Sequence, residues 1–291
     1  MKQMNTNKSI LKRGLYAAMA VAVCAFGSSA WASSTWSQNL VGDCGLSNVK
    51  TETCTAGSPS VSLSGWSTGS GAGATATSAG TNFAAAAIYN YGAPNGLGVV
   101  ANNESSTVTG PHAIDNVYGV DALEVAFTGG PVNVSTLNIG WNGTDNGVSG
   151  YTGSDISVLA WTGSGTPTSG LNGDAPSLAG TGWTLIGNYA SVGASNGSAA
   201  GGTATITSSV YSSYWLISAY SSAYGVASNQ PTGLTDANDS FKVLSLAGNT
   251  CTGTVSGTQC VANKVPEPGS LALLGAGVVG LLAFRRRKTI A

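Results

Sequence analysis

The body of the chain holds one histidine, and the groups best able to do chemistry gather around it. His112 stands in Pro111-His112-Ala113-Ile114-Asp115-Asn116, and Asp121, Glu124 and Phe127 follow closely. Asp115, Asn116, Asp121 and Glu124 are oxygen ligands near one another in sequence. Calcium takes about six to eight oxygens, so these four form a candidate calcium site. Asp145-Asn146-Gly147 and Asp236-Ala237-Asn238-Asp239 are further candidates. Asp and Asn also bend chains beside Gly, and turn formation is the preferred reading of each cluster. His112, Asp115 and Asn116 are likewise expected to tie a loop to a strand edge rather than to hold a ligand.

Other chemistries fit less well. A serine nucleophile needs a histidine and an acid beside it, and no Gly-x-Ser-x-Gly elbow occurs. A single body histidine does not build the usual zinc site. Asp121 and Glu124 are a carboxylate pair of the kind glycoside hydrolysis uses, but any acidic β protein contains such pairs. The expectation is a protein that is not an enzyme and needs no cofactor, with calcium as the one cation considered.

The elements that must position these residues read as strands. Val61–Trp66, Ala85–Tyr91, Ala122–Phe127, Val132–Trp141, Ile156–Trp161, Trp183–Tyr189, Tyr214–Tyr220 and Phe241–Leu246 are short apolar or alternating runs flanked by turn residues. Within Val132–Trp141 the apolar parity flips near Ser135-Thr136, which predicts a β-bulge there. This spacing of strands predicts an all-β fold, a single jelly-roll-like β-sandwich domain. Residues 67–82 and 191–209 are rich in Gly, Ser, Ala and Thr and are expected to be loops. Exposed aromatic rings would suit sugar binding. Trp141, Trp161 and Trp215 lie inside strands, however, and are expected to fill the core.

Composition sets the limits. Only 8% of the 291 residues are charged, while 42% are hydrophobic. The net charge of −1 conceals an asymmetry. Lys2, Lys8, Lys12 and Arg13 open the chain and Arg285, Arg286, Arg287 and Lys288 close it. Between them stand three lysines and all 12 acidic residues, a formal charge of −9. Such a body does not bind nucleic acid by charge. Of the 5 cysteines, Cys24 falls in the first apolar run. Cys44, Cys54, Cys251 and Cys260 remain and are expected to form disulfides. Three connectivities are open, and the local pairs Cys44–Cys54 and Cys251–Cys260 are preferred because each closes a short polar loop.

The two ends carry a different kind of information. Residues 1–13 are basic, Leu15 to Phe26 is an apolar run, and Ala30-Trp31-Ala32 is a small-x-small pattern. Together they read as a signal peptide over 1–32, cut before Ser33 by signal peptidase after passage through the Sec translocon. At the other end, 263–291, Pro266-Glu267-Pro268 precedes an apolar stretch and then Arg285-Arg286-Arg287-Lys288. The apolar stretch is shorter than the roughly 20 residues of an ordinary span. The basic cluster would hold its own end in the cytoplasm. The prolines keep their segment extended and stop a helix from running outward.

This order of triplet, apolar helix and Arg-rich stop resembles the PEP-CTERM sorting signal. The resemblance implies recognition at Pro266, Glu267 and Pro268 and processing by exosortase, a membrane-embedded cysteine transpeptidase or protease. It also implies a Gram-negative host that makes exopolysaccharide or biofilm. Gly96-Leu97-Gly98-Val99, then His112-Ala113-Ile114-Asp115-Asn116, then Asp121 before an apolar strand, is similar to a group of exosortase-dependent surface proteins over 83–141. The whole is therefore expected to be an exported surface or matrix protein, with its body in 33–262 and the inner membrane as a transient stop. The alternatives are a calcium-assisted carbohydrate-binding module and a secreted glycan hydrolase.

Overall fold

Each strand must find partners for its backbone N–H and C=O groups, and the chain does so through one large antiparallel sheet. In the computed structural model the chain falls into two units, Met1–Ala32 and Ser33–Ala291. The described residues all belong to the second: 33–261 apart from 46–48, 50, 55–58, 70–81, 102–111, 118, 144–152, 168–169, 176, 194–200 and 237–238, together with 275, 277 and 278. The expected signal peptide, the Pro-Glu-Pro triplet, the basic cluster and Asp145-Asn146-Gly147 lie outside them. No helix among the described residues is long and apolar enough to cross a membrane.

The strands are β1 (Ser33–Asn39), β2 (Thr51–Cys54), β3 (Val61–Ser67), β4 (Ala84–Asn90), β5 (Leu97–Val100), β6 (Ile114–Asp115), β7 (Asp121–Phe127), β8 (Val132–Asn142), β9 (Ser154–Trp161), β10 (Trp183–Val192), β11 (Gly202–Thr205), β12 (Tyr214–Ala219), β13 (Ser240–Cys251), β14 (Thr254–Ser256) and β15 (Gln259–Val261). A single α-helical turn, α1 (Leu40–Asp43), follows β1 and is capped by the Asn39 side chain. The main path through the sheet is β10-β9-β12-β7-β3-β4-β5-β13-β8-β11. β1 and β6 also pair with β13, β2 pairs with β3, and β14–β15 is a separate hairpin.

The two halves of this path face each other. Leu63, Leu123, Val125, Ile156, Val158, Trp215 and Ile217 come from one half, and Leu97, Val99, Leu137, Ile139, Phe241, Val243 and Leu246 from the other; all join one buried cluster. Burying each such side chain contributes about 1.5–3 kcal/mol. The path's two ends, β10 and β11, lie against each other, so the sheet nearly closes into a barrel. The all-β expectation therefore holds, with the two layers being halves of one sheet joined through β4.

All eight expected strands form. The parity flip is a bulge: Ala247 stands opposite Thr136 and Gly248 opposite Val134, leaving Ser135 unpaired in register. The 191–209 segment is not all loop, because β10 runs to Val192 and Gly202–Thr205 pairs with β8. Its Gly and Thr residues carry no apolar alternation; the edge of β8 recruits them. Cys251 and Cys260 form the expected disulfide, with Cα atoms 5.6 Å apart. Cys44 is also disulfide-bonded, while the side chain of Cys54 lies outside the described residues.

Gly96-Leu97-Gly98-Val99 has a packing explanation. Leu97 and Val99 are fully buried. A Cβ on Gly98 would lie 2.0 Å from the His112 carbonyl oxygen, so the 112–113 backbone crosses β5 where only glycine leaves room. Replacing Gly98 with Ala should therefore cost about 1–3 kcal/mol, read as a lower urea midpoint. Gly45→Ala, where a Cβ meets nothing within 4 Å, should leave the midpoint nearly unchanged.

Candidate functional site

The four residues nominated for calcium do not converge on one point. Asp121 and Glu124 are three apart in a regular strand, so their side chains leave β7 on opposite faces. They cannot flank one glycosidic bond from there, and the hydrolase pair loses its geometric support. Glu124 is buried on the outer face among Trp66, Ala122, Leu159 and Leu216, where the Trp66 indole N–H donates to its Oε2 at 2.8 Å. Burial raises its pKa, and the Trp66 bond only partly opposes that. Asp115 accepts from the Val117 amide at 3.0 Å. Among the described residues, no group of three or more His, Cys, Asp or Glu gathers in a way that could hold a metal ion.

Asn116 instead locks the loop after β6 to the start of β13. Its backbone N–H donates to the Asp239 carbonyl at 3.2 Å, and its Oδ1 accepts from the Asp239 amide at 2.9 Å. Its side-chain amide donates to Asp239 Oδ2 at 2.8 Å and to the Tyr220 carbonyl at 2.9 Å. The other Asp239 oxygen accepts from the Asp155 amide at 2.6 Å. Asp155 in turn accepts from Ser191 and Thr235, and Asp236 from Ser222. Asp155, Asp236 and Asp239 thus act as clamps on backbone amides. Burial, helped by the nearby Asp155 charge, pushes the Asp239 carboxyl from 3.8 up to about 8.

His112 belongs to an aromatic group on the half built from β4, β5, β13 and β8. Tyr89 lies 4.9 Å from Tyr91 and 5.8 Å from His112, measured between ring centroids. Lys242, buried in β13, places its ammonium 3.7 Å from the Trp141 ring centroid and 4.4 Å from that of Tyr91. Trp141 is therefore half-buried on the outside of the sheet and grips a cation; it does not fill the core as expected.

Trp161 departs from the same expectation, and here a groove results. Of the three tryptophans only Trp215 is fully buried in the core; its indole N–H donates to the Val132 and Ser212 carbonyls. Trp161, one residue after Ala160, and Tyr214, one residue before its antiparallel partner Trp215, stand side by side on the outer face. They line a groove of about 820 Å³ together with Phe127, Tyr211, the turn 128–131, the segment 162–166 and the Gly257-Thr258 turn. Among the described residues no lining residue is charged, and most of the remainder are Ser, Thr and Gly. The Trp161 ring is fixed in three ways. Its indole N–H donates to the Gly165 carbonyl at 3.0 Å. Its edge lies against Gly163 and Gly182, where no Cβ would fit. Trp183 packs edge-on at 5.7 Å. The Tyr211 and Tyr214 hydroxyls make no hydrogen bond among the described residues. A second groove of about 630 Å³ follows the seam between β10 and β11, with Tyr189 as its one aromatic among the described residues.

Two consequences can be measured. The Asp239 carboxyl is held protonated more readily folded than unfolded, so its contribution to stability is full below about pH 4 and is lost as pH rises through about 8. Each tenfold displacement of that proton equilibrium is worth about 1.4 kcal/mol. Thermal midpoints should therefore fall from pH 5 to pH 8. Asp239→Asn should start lower, because its amide would face that of Asn116, yet show a flatter pH profile. Lys242→Ala should lower stability by about 2 kcal/mol, the size of a desolvated cation–π contact, read as a lower urea midpoint, while Lys242→Arg should retain part of it.

Comparison with known proteins adds the end of the chain that the geometry does not describe. Residues 264–288 match the family model of the PEP-CTERM protein-sorting motif, which spans Pro266, Glu267, Pro268 and the Arg285–Lys288 stop. No curated protein matches the chain. The chain thus carries a PEP-CTERM sorting motif, which marks it as an exported, membrane-transiting protein that exosortase processes on the way to the cell surface.

Proposed function

We propose that this is a non-enzymatic protein of the cell surface or extracellular matrix of a Gram-negative bacterium, retained there by exopolysaccharide or biofilm polymer. The observation that carries the reading is the sorting motif at 264–288. In this account residues 1–32 are removed by signal peptidase after Sec export. The tail then lodges in the inner membrane with Arg285–Lys288 on the cytoplasmic side until exosortase acts at Pro266-Glu267-Pro268. The non-enzymatic part is supported by the carboxylates. Glu124 and Asp239 are engaged in buried hydrogen bonds within the domain, and Asp121 and Glu124 point apart. The polymer-binding part is supported by the uncharged, aromatic groove.

Expression in paired hosts with and without exosortase tests the sorting step. With the enzyme, the tail should be removed and the protein recovered from the surface or matrix. Without it, or with Pro266→Ala and Glu267→Ala together, full-length protein should accumulate in the inner membrane. An uncleaved tail and the same location in both hosts would overturn the reading.

A further inference from the structure

The geometry points to the groove beside Trp161 as a binding site for an uncharged polysaccharide strand. This rests on the polymer-associated reading above and adds the site and the class of sugar. Three properties select that ligand. The first is the aromatic surface. Trp161 and Tyr214 are neighbours across β9 and β12, and Tyr211 stands on the segment leading into β12. The faces of such rings carry negative quadrupole charge, and the C–H bonds on one side of a pyranose ring carry partial positive charge, so the two stack.

The second is preorganisation. A ring that must be ordered on binding spends affinity on that ordering. Trp161 is already held by its bond to Gly165, by glycines 163 and 182 and by Trp183. The third is the kind of polar group on offer. The groove presents Ser and Thr residues and two tyrosine hydroxyls with no hydrogen bond among the described residues, but no charged residue. Its described lining thus offers no cation to pair with a uronate, sulfate or phosphate. The sequence between the two ends carries three basic against 12 acidic residues, which disfavours polyanions at long range. A neutral glycan meets none of these penalties.

Affinity electrophoresis of the secreted domain tests the assignment. Native gels would contain a β-1,4-glucan, a dextran or a galactomannan, with alginate as the anionic comparison. Retardation is expected in at least one neutral gel and not with alginate alone. Trp161→Ala should weaken that retardation about tenfold or more, as loss of a central aromatic anchor does. Tyr211→Ser lies on a loop and should weaken it severalfold with an unchanged thermal midpoint, which guards against a Trp161 variant that misfolds. No retardation in any neutral gel, retardation in alginate only, or retardation indifferent to Tyr211→Ser and to a folded Trp161→Ala would overturn the site. Matrix retention that survives both variants would overturn the groove while leaving the polymer-associated reading intact. Loss of matrix retention in the wild type would overturn that reading itself.

Discussion

Everything in this domain depends on the pairing of one long strand. β13 runs for 12 residues and bonds to β1, β5, β6 and β8. It takes the first residues after the expected cleavage point on one side and the middle of the sheet on the other. Ser33 stands opposite Cys251 and Asn39 opposite Ser245, so β1 covers half of β13. A strand with so many partners leaves few backbone groups unpaired, and that suits a sequence short of charge. It must also bend to serve them all. The β8–β13 ladder slips register at three places, and each slip adds local twist. That twist helps carry one half of the sheet over the other.

Charge enters this fold sparingly, and where it enters it is used for specificity. With 8% charged residues, the chain has little means of specifying register through surface ion pairs. Buried carboxylates take that part. Asp239 stands at the threshold of β13 and exchanges bonds with Asn116 in both directions, while Asp155 reaches it from the start of β9. A neutral polar group would supply fewer acceptors for the backbone amides that meet there. The cost is a carboxyl pushed toward its neutral form, so the lock that sets the loop also makes the domain sensitive to alkali.

Much of the sheet was legible in the sequence because alternation reports a half-buried strand directly. The eight strands expected from alternation and apolar runs are present, and even the unpaired Ser135 announced itself as a parity flip. β1, β5 and β11 were missed for a common reason. Ser33–Asn39 and Gly202–Thr205 are polar, and Leu97–Val100 is only four residues long; a neighbouring edge makes them strands, and no local pattern announces it. The site was less legible than the fold. Alternation separates one face of a strand from the other, but it does not say which face is later covered. Trp215 and Trp161 are both strand tryptophans, yet the first faces the core and the second an outer face that Leu171 and Leu178 cover only in part. The glycines at 163 and 182 were the available signal, since they mark where backbone passes against a large ring.

The two levels of information meet in the charge balance. The sorting motif says where the protein goes, and the groove bears on what holds it there. If both ends are removed as proposed, eight of the 11 basic residues leave with them. The mature body is then strongly acidic, and Lys242, a basic residue it retains, is spent between Trp141 and Tyr91. Such a body gains nothing from electrostatic attraction to acidic polymers or to anionic membranes. Retention by a polymer, as proposed, would then rest on contacts that do not depend on charge, namely aromatic stacking and hydroxyl hydrogen bonding. A groove whose described lining carries no charge, with its central ring already fixed, suits that proposed mode of retention.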